Sequence, residues 1–143
     1  MIDEIPRGAR IGVDTVAVIY FLEDHPEFGH SARHLFERIE AGELEAVMSV
    51  LVLTELLVPL YRAGQEPAAD QLSRRLRNFR NLEMMPVTDT TASMATRLRA
   101  LHGLKTPDAI HAANALVAGA SGIVTNDRDL RALHDELEVW TFR

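Results

Sequence analysis

Ile11-Gly-Val-Asp14-Thr15-Val-Ala-Val-Ile-Tyr-Phe-Leu22 is the stretch that decides the fold. A short apolar run from Arg10 to Val13 stops at a carboxylate, and a second apolar run from Thr15 to Leu22 starts directly after it. The first run has the length of a buried strand. The second reads as a helix, broken by Glu23-Asp24-His25-Pro26. A carboxylate is costly to bury unless something pairs with it. Asp14 stands where a strand gives way to a helix, and in open α/β sheets that crevice is the default site.

Outward from this stretch, strands and helices alternate. Glu27 to Glu40 has helical spacing, with Ala32, Leu35, Phe36 and Ile39 on one face, and Ala41-Gly42 ends it. Glu45 to Ser49 reads as a second strand, and Val50 to Tyr61, leucine-rich and apolar almost throughout, as a buried helix. Glu66 to Phe79 is amphipathic and arginine-rich. Leu82 to Val87 is a third strand, followed by a helix with Thr88 as N-cap that runs to about Leu101 and stops at Gly103. Thr106 is expected to cap the next helix, with Pro107 at its first position. That helix carries Ala109, Ala112, Ala113 and Ala115, small enough to lie close on a sheet. Ile123 to Thr125 is a fourth strand, Asp127 to His134 a short helix, and Leu137 to Phe142 a closing strand containing Trp140. The pattern predicts a three-layer α/β/α fold with a mostly parallel central sheet of four or five strands. No repeat, linker or composition break divides residues 1–143, so one domain is expected.

Composition narrows the function classes. The hydrophobic fraction of 47% is enough for a core, and 25% charged residues is ordinary. Without cysteine there is no disulfide framework, thiolate nucleophile or cysteine-type zinc site. No apolar run is long enough to span a bilayer, and the charged start Met1-Ile-Asp-Glu-Ile-Pro-Arg lacks a signal-peptide core. A soluble, cytoplasmic protein is expected. A net charge of −6 argues against a passive nucleic-acid coat, though less against a metal-dependent nuclease. Lys105 is the only lysine; the other basic residues are arginines, whose planar fork suits phosphate oxygens. A biased codon usage of a GC-rich genome accounts for them more simply.

Four acids stand at the ends of apolar segments: Asp14, Glu55 in Val50-Leu-Val-Leu-Thr-Glu-Leu-Leu, Asp108 in Lys105-Thr-Pro-Asp-Ala-Ile-His-Ala-Ala, and Asp127 in Ile123-Val-Thr-Asn-Asp-Arg-Asp-Leu. Each has a structural explanation taken alone. Asp14 suits a helix cap, Asp108 the positive end of a helix dipole, and Asp127 and Asp129 a turn or cap. Glu55 is harder to excuse in so apolar a helix. Together, converging carboxylates without matching bases call for a hard divalent cation, and a hard cation at the mouth of a small α/β domain suits phosphate-ester chemistry.

Val13-Asp14-Thr15 with the apolar stretch to Leu22-Glu23, Ser49 to Leu56 with its Thr-Glu-Leu, Thr106-Pro-Asp-Ala-Ile-His-Ala-Ala and Val124-Thr-Asn-Asp-Arg-Asp-Leu follow one another in an order that resembles PIN domains. The likeness is greatest to the VapC-type toxins of toxin–antitoxin pairs, and it covers nearly the whole chain. The resemblance implies an acidic site of Asp14, Glu55, Asp108 and Asp127. Asp14, Asp108 and Asp127 would be metal ligands, with Asp129 competing for the last place. Thr15, Thr125 and Asn126 would orient ligands or waters. It further implies Mg²⁺ or Mn²⁺ as cofactor, single-stranded RNA as substrate, a metal-activated water attacking phosphorus in line, and Glu55 or Asp127 as proton acceptor. A small antitoxin protein and a second copy of the chain would be partners. They would dock near Phe21, Leu35-Phe36 and Leu56 to Tyr61, unless those residues are simply core.

Arg74, Arg75, Arg77 and Arg80 form the densest basic run, a candidate RNA contact or a solvated helix face. Arg97, Arg99, His102 and Lys105 form a weaker one leading toward Asp108. His30 and His34 have helical ligand spacing but no third ligand nearby, and His111 reads as a packed or hydrogen-bonded neighbour of Asp108. Three alternatives stay open: a nuclease of the same fold acting in RNA processing or on DNA, a catalytically silent binding module, and a phosphoaspartate domain. The last normally needs a second acid beside Asp14, where this chain has Thr15-Val16.

Overall fold

The computed structural model describes residues 1–142. Five strands form one sheet: β1 (Arg10–Val13), β2 (Glu45–Ser49), β3 (Leu82–Met85), β4 (Gly122–Val124) and β5 (Glu138–Trp140). Their order is β3-β2-β1-β4-β5, and every neighbouring pair is parallel. Parallel strands need crossovers, and the helices supply them: α1 (Thr15–Leu22), α2 (Gly29–Glu40), α3 (Leu51–Arg62), α4 (Glu66–Arg77), α5 (Asp89–His102) and α6 (Thr106–Val117). The result is three layers, α/β/α.

Strand periodicity divides the core between the two faces of the sheet. Ile11, Val13, Met48 and Val124 pack with Val18, Leu35, Phe36 and Ile39 of α1 and α2. Ile123 packs on the opposite side with Leu98, Ala109, Ala112, Ala113 and Ala115 of α5 and α6. Gly12 lies under α6: a Cβ built there would come 2.6 Å from the Cβ of Ala115. The alanines thus bring α6 close onto the sheet, and Gly12 is the strand position that admits it.

The first strand, β1, lies at the centre of the sheet, which builds outward from it in both directions. Between β1 and β4 the direction of build reverses, so a crevice opens beyond their carboxyl ends. Val13 pairs with Val124 in register, which sets Asp14 and Thr125 side by side at the mouth of that crevice.

Several local expectations need correction. Val50 to Tyr61 was expected to be a buried helix, yet in α3 only Val52 is buried, while Val58 is 37% and Tyr61 50% exposed. α3 packs on α4, α1 and α6 and leaves Val58, Pro59 and Tyr61 exposed beside Thr54, Glu55 and Arg62. Helix α6 starts one residue early, with Lys105 as N-cap, so Pro107 occupies the second position and Thr106 makes no side-chain cap. The expected helix from Asp127 to His134 is a 3-10 segment, Arg128–Leu133. Unforeseen is a clasp on the N-terminal segment: buried Arg38 donates to the Ile2 and Ile5 carbonyls at 3.0 and 2.8 Å and pairs with Glu43, which seals Ile2 and Ile5 into the core.

The Gly12–Ala115 contact is testable. Gly12→Ala is expected to cost about 1–3 kcal/mol in urea unfolding, because the packed site has no room for a methyl group. Adding Ala115→Gly should recover part of the loss, so that the double variant is less destabilised than the sum of the two single variants. Strict additivity would show that the close approach is unimportant.

Candidate active site

Each acid reaches the crevice from a different element. Asp14 is the N-cap of α1: one carboxylate oxygen accepts from the Thr15 amide at 2.8 Å, and the other from the Thr125 hydroxyl at 2.7 Å. Thr125 is fully buried after β4, and its hydroxyl also accepts from the Asp127 amide at 3.0 Å. One side chain thus ties the strand-end acid of β1 to the acid-bearing turn after β4. Asp127 caps the 3-10 segment by accepting from the Asp129 amide at 2.9 Å. Asp108 sits in the first turn of α6, where the helix dipole favours its charge.

Glu55 is drawn in from α3 by a bond that the chain order does not foreshadow. His111 of α6, 4% exposed, places Nε2 at 2.5 Å from Glu55 Oε1. The Thr15 hydroxyl donates to the same oxygen at 3.2 Å, and His111 Nε2 lies 3.9 Å from Asp14 Oδ1. His111 is three residues along α6 from Asp108, the spacing that puts two side chains on one helix face.

Asp14, Thr15, Val16, Ile19, Tyr20, Glu55, Asp108, Asn126 and Asp127 line one open cleft of about 460 Å³. No basic side chain is among them. A larger hollow beside β5 and a smaller one below β1 and β2 lie away from these acids. Asn126 contributes to the lining, but its side chain is engaged elsewhere: it accepts from the Phe142 amide at 3.0 Å and donates to the Tyr20 hydroxyl at 3.2 Å. It pins the chain end to α1. Tyr20, Val16 and Ile19 were not singled out from the sequence; their apolar character hid them in a helix that looked like pure core.

The basic runs do not gather at the cleft. Arg74, Arg75 and Arg77 belong to α4, and Arg80 follows it. Arg75 lines an apolar groove with Val18, Phe21, Leu22, Phe36, Leu72, Leu76 and Phe79, on another side of α1. Arg97 and His102 are committed to Glu136, and Arg99 donates to the Leu104 carbonyl. Lys105 is the exposed N-cap residue of α6, three positions before Asp108. His34 faces Asp3 at 3.4 Å, far from any acid cluster of the cleft.

The electrostatics follow from this anionic crowding. Burial, and then the charges of Asp127, Asp14 and Asp129, push the Asp108 carboxyl up to about 6. Burial also raises Asp14, against the pull of His111, Thr125 and the Thr15 amide. Burial works against Glu55 too, but the hydrogen bond and charge of His111 outweigh it and hold the glutamate below its usual range. His111 is correspondingly raised: burial opposes its positive form, and the Glu55 bond with the charges of Asp14, Glu55 and Asp108 overcomes that.

Asp108, Asp127 and Asp129 offer ligand oxygens that all lie within 4.8 Å of one another. Asp127 and Asp129, the two candidates for the last ligand place, both stand beside Asp108. An all-oxygen donor set beside a lining without basic residues fits a hard divalent cation.

In chelator, Asp108 should make the fold less stable as pH rises. Its folded-state value lies above the ordinary 3.8, so its contribution is full below that pH and is lost as pH passes about 6. Neutral Asp108→Asn is expected to melt about 2–4 °C higher than the natural chain at pH 8, with the gap closing by pH 4. Equal melting temperatures at both pH values would refute the crowding.

Comparison with known proteins agrees with the fold. The structure is similar to VapBC2 from Rickettsia felis bound to a promoter DNA fragment, with TM-score 0.72, 17% identity, and 92% of this chain and 98% of that one covered. VapBC-1 from nontypeable Haemophilus influenzae matches with TM-score 0.69, 14% identity and coverage of 93% and 98%. A toxin–antitoxin complex from Klebsiella pneumoniae matches with TM-score 0.66, 20% identity and coverage of 95% and 98%. At these identities the likeness is one of fold. No curated protein sequence matches the chain. The PIN domain profile, however, matches residues 11–136, nearly the whole length, and the chain therefore belongs to the PIN domain family.

Proposed function

We propose that this chain is a divalent-metal-dependent endoribonuclease, the toxin of a toxin–antitoxin pair. The observation that carries the reading is the cleft itself: Asp14, Glu55, Asp108 and Asp127 come from four separate places in the chain to line it, with no base among the lining residues. Such a cleft repels a phosphodiester unless a cation stands between. Asp108, Asp127 and Asp129 would hold that cation, with Asp14 beside them. When bound, a divalent cation supplies Lewis acidity, lowering the pKa of water and offsetting charge on the phosphoryl oxygens.

The chain's own residues do the rest. Asp14 is fixed by Thr15 and Thr125, so its orientation is set before any ligand arrives. Glu55 is held ionised by His111 and remains 38% exposed, which makes it the proton acceptor best placed to meet a water in the cleft. His111 and Thr15 both engage Oε1, leaving Oε2 for that water.

The structural relatives are complexes of a toxin with its antitoxin, which supports an antitoxin partner here. The groove of Val18, Phe21, Leu22, Phe36, Leu72, Leu76 and Phe79, rimmed by Arg75, would seat an apolar antitoxin segment. The uncovered side of α3, with Val58 and Tyr61, would suit a second copy of the chain.

Cleavage of a labelled single-stranded RNA in Mg²⁺ tests the reading. Asp14→Asn and Asp108→Asn are each expected to lower the rate at least about 100-fold while leaving the far-ultraviolet circular dichroism unchanged. EDTA should abolish cleavage by the natural chain. Undiminished cleavage by either variant would sink the proposal. A second measurement concerns His111. His111→Phe removes the group that depresses the Glu55 pKa, so the acidic limb of the pH–rate profile should move to higher pH. An unmoved limb would exclude Glu55 as the acceptor.

A further inference from the structure

The acidic cleft has a second wall that the chemistry above does not use. In α1, Thr15, Ala17 and Val18 are buried, whereas Val16, Ile19 and Tyr20 are half-exposed. These three stand at i, i+3 and i+4, which makes them one stripe of the helix. The stripe lines the same cleft as Asp108 and Asp127.

We infer that Val16, Ile19 and Tyr20 form a nucleobase subsite that receives the base next to the scissile phosphate of a single-stranded RNA. The inference rests on the nuclease reading and adds to it where substrate affinity and base preference come from. A strand entering this cleft finds no cationic side chain among the lining residues, so its phosphates gain nothing there from the protein. Its bases meet matching chemistry: methyl groups of Val16 and Ile19 for a base face, and the Tyr20 edge. Packing of unpaired bases on aromatic and apolar side chains is a common contribution to how single strands are held. The cleft, at about 460 Å³, is of a size that takes a small-molecule ligand such as one nucleotide.

Tyr20 is already fixed for this role. Its ring lies 4.7 Å from that of His25, 5.0 Å from Phe28 and 5.4 Å from Phe142, edge-on to the last. Its hydroxyl oxygen accepts from Asn126 Nδ2 at 3.2 Å. The phenolic proton is thereby turned away from Asn126 and is available to a base carbonyl. The engagement of Asn126 with Tyr20 and Phe142, instead of with the acids, follows naturally: it aligns the subsite, not the metal ligands. A hydrogen bond of this kind discriminates between bases more sharply than packing does.

The test uses short single-stranded RNAs whose cleavage position is first mapped with the natural chain. Each nucleotide flanking that position is then replaced in turn by an abasic residue. One such replacement is expected to lower kcat/KM about tenfold or more. Ile19→Ala should lose a similar factor on the intact RNA and lose little more on the abasic one. Tyr20→Phe should keep its sensitivity to the abasic residue but flatten the preference among bases at that position. Mn²⁺ binding by titration calorimetry should be the same for both variants and the natural chain, since neither residue is an acid of the site. Cleavage that ignores every abasic replacement, or an abasic penalty equal in Ile19→Ala and the natural chain, would overturn the subsite while leaving the nuclease standing. Absence of cleavage on any RNA in Mg²⁺ or Mn²⁺ would overturn the nuclease reading and this one with it. If Ile19→Ala does not fold, the base preference of Tyr20→Phe decides alone.

Discussion

Like charges are forced together at the carboxyl ends of β1 and β4, and the architecture around them can be understood as what that repulsion requires. Asp108 shows the strain directly, its carboxyl pushed up to about 6 by burial and by its acidic neighbours. The surrounding fold does not relieve the strain with arginine or lysine. It uses neutral donors for Asp14, a hydroxyl and a backbone amide, and a buried imidazole for Glu55. The Thr15 amide and the Thr125 hydroxyl are neutral and hold Asp14 in place without cancelling its charge, while the charge of His111 acts on Glu55. On the proposed function, what remains is an acidic lining suited to a cation, at the expense of stability in its absence.

That arrangement depends on a helix lying unusually near the sheet. α6 carries both Asp108 and His111, and Gly12 beneath Ala115 sets its distance from β1. Were α6 lifted by the thickness of a methyl group, His111 would lose its reach to Glu55 at 2.5 Å. The alanines of α6 are thus not a neutral filler of the core. They determine how far apart the acids stand, and so they link a packing detail in the sheet to the electrostatics at its rim.

Much of this was legible in the chain. Strand and helix alternation located the sheet, since a run such as Glu45 to Ser49 has only one plausible state at its length, and Asp14 after Val13 pointed at the crevice. What escaped has a common cause. Val50 to Tyr61 was expected to be buried because composition reports apolarity, and apolarity alone does not say which helix residues the fold covers. For the same reason Val16, Ile19 and Tyr20 looked like interior. Arg38 was not among the residues placed on the packed face of its helix, yet it donates to Glu43 and to the Ile2 and Ile5 carbonyls, the last two across more than thirty residues, which no local pattern announces. Hydrogen-bond partners distant in sequence, such as His111 with Glu55, are invisible to periodicity.

The placement of the arginines sharpens the physical picture. Density of basic residues along the chain suggested a phosphate track through Arg74 to Arg80, but the helix that carries them leaves the cleft lining free of bases. A cleft with its own guanidinium would bind polynucleotide without a metal and would hold it through non-reactive contacts. On the proposed function, keeping basic residues out makes the approach of a phosphate conditional on the cation, so binding and reactivity would depend on the same event. Recognition then has to come from surfaces that carry no charge, and in this cleft the α1 stripe is the apolar surface on offer.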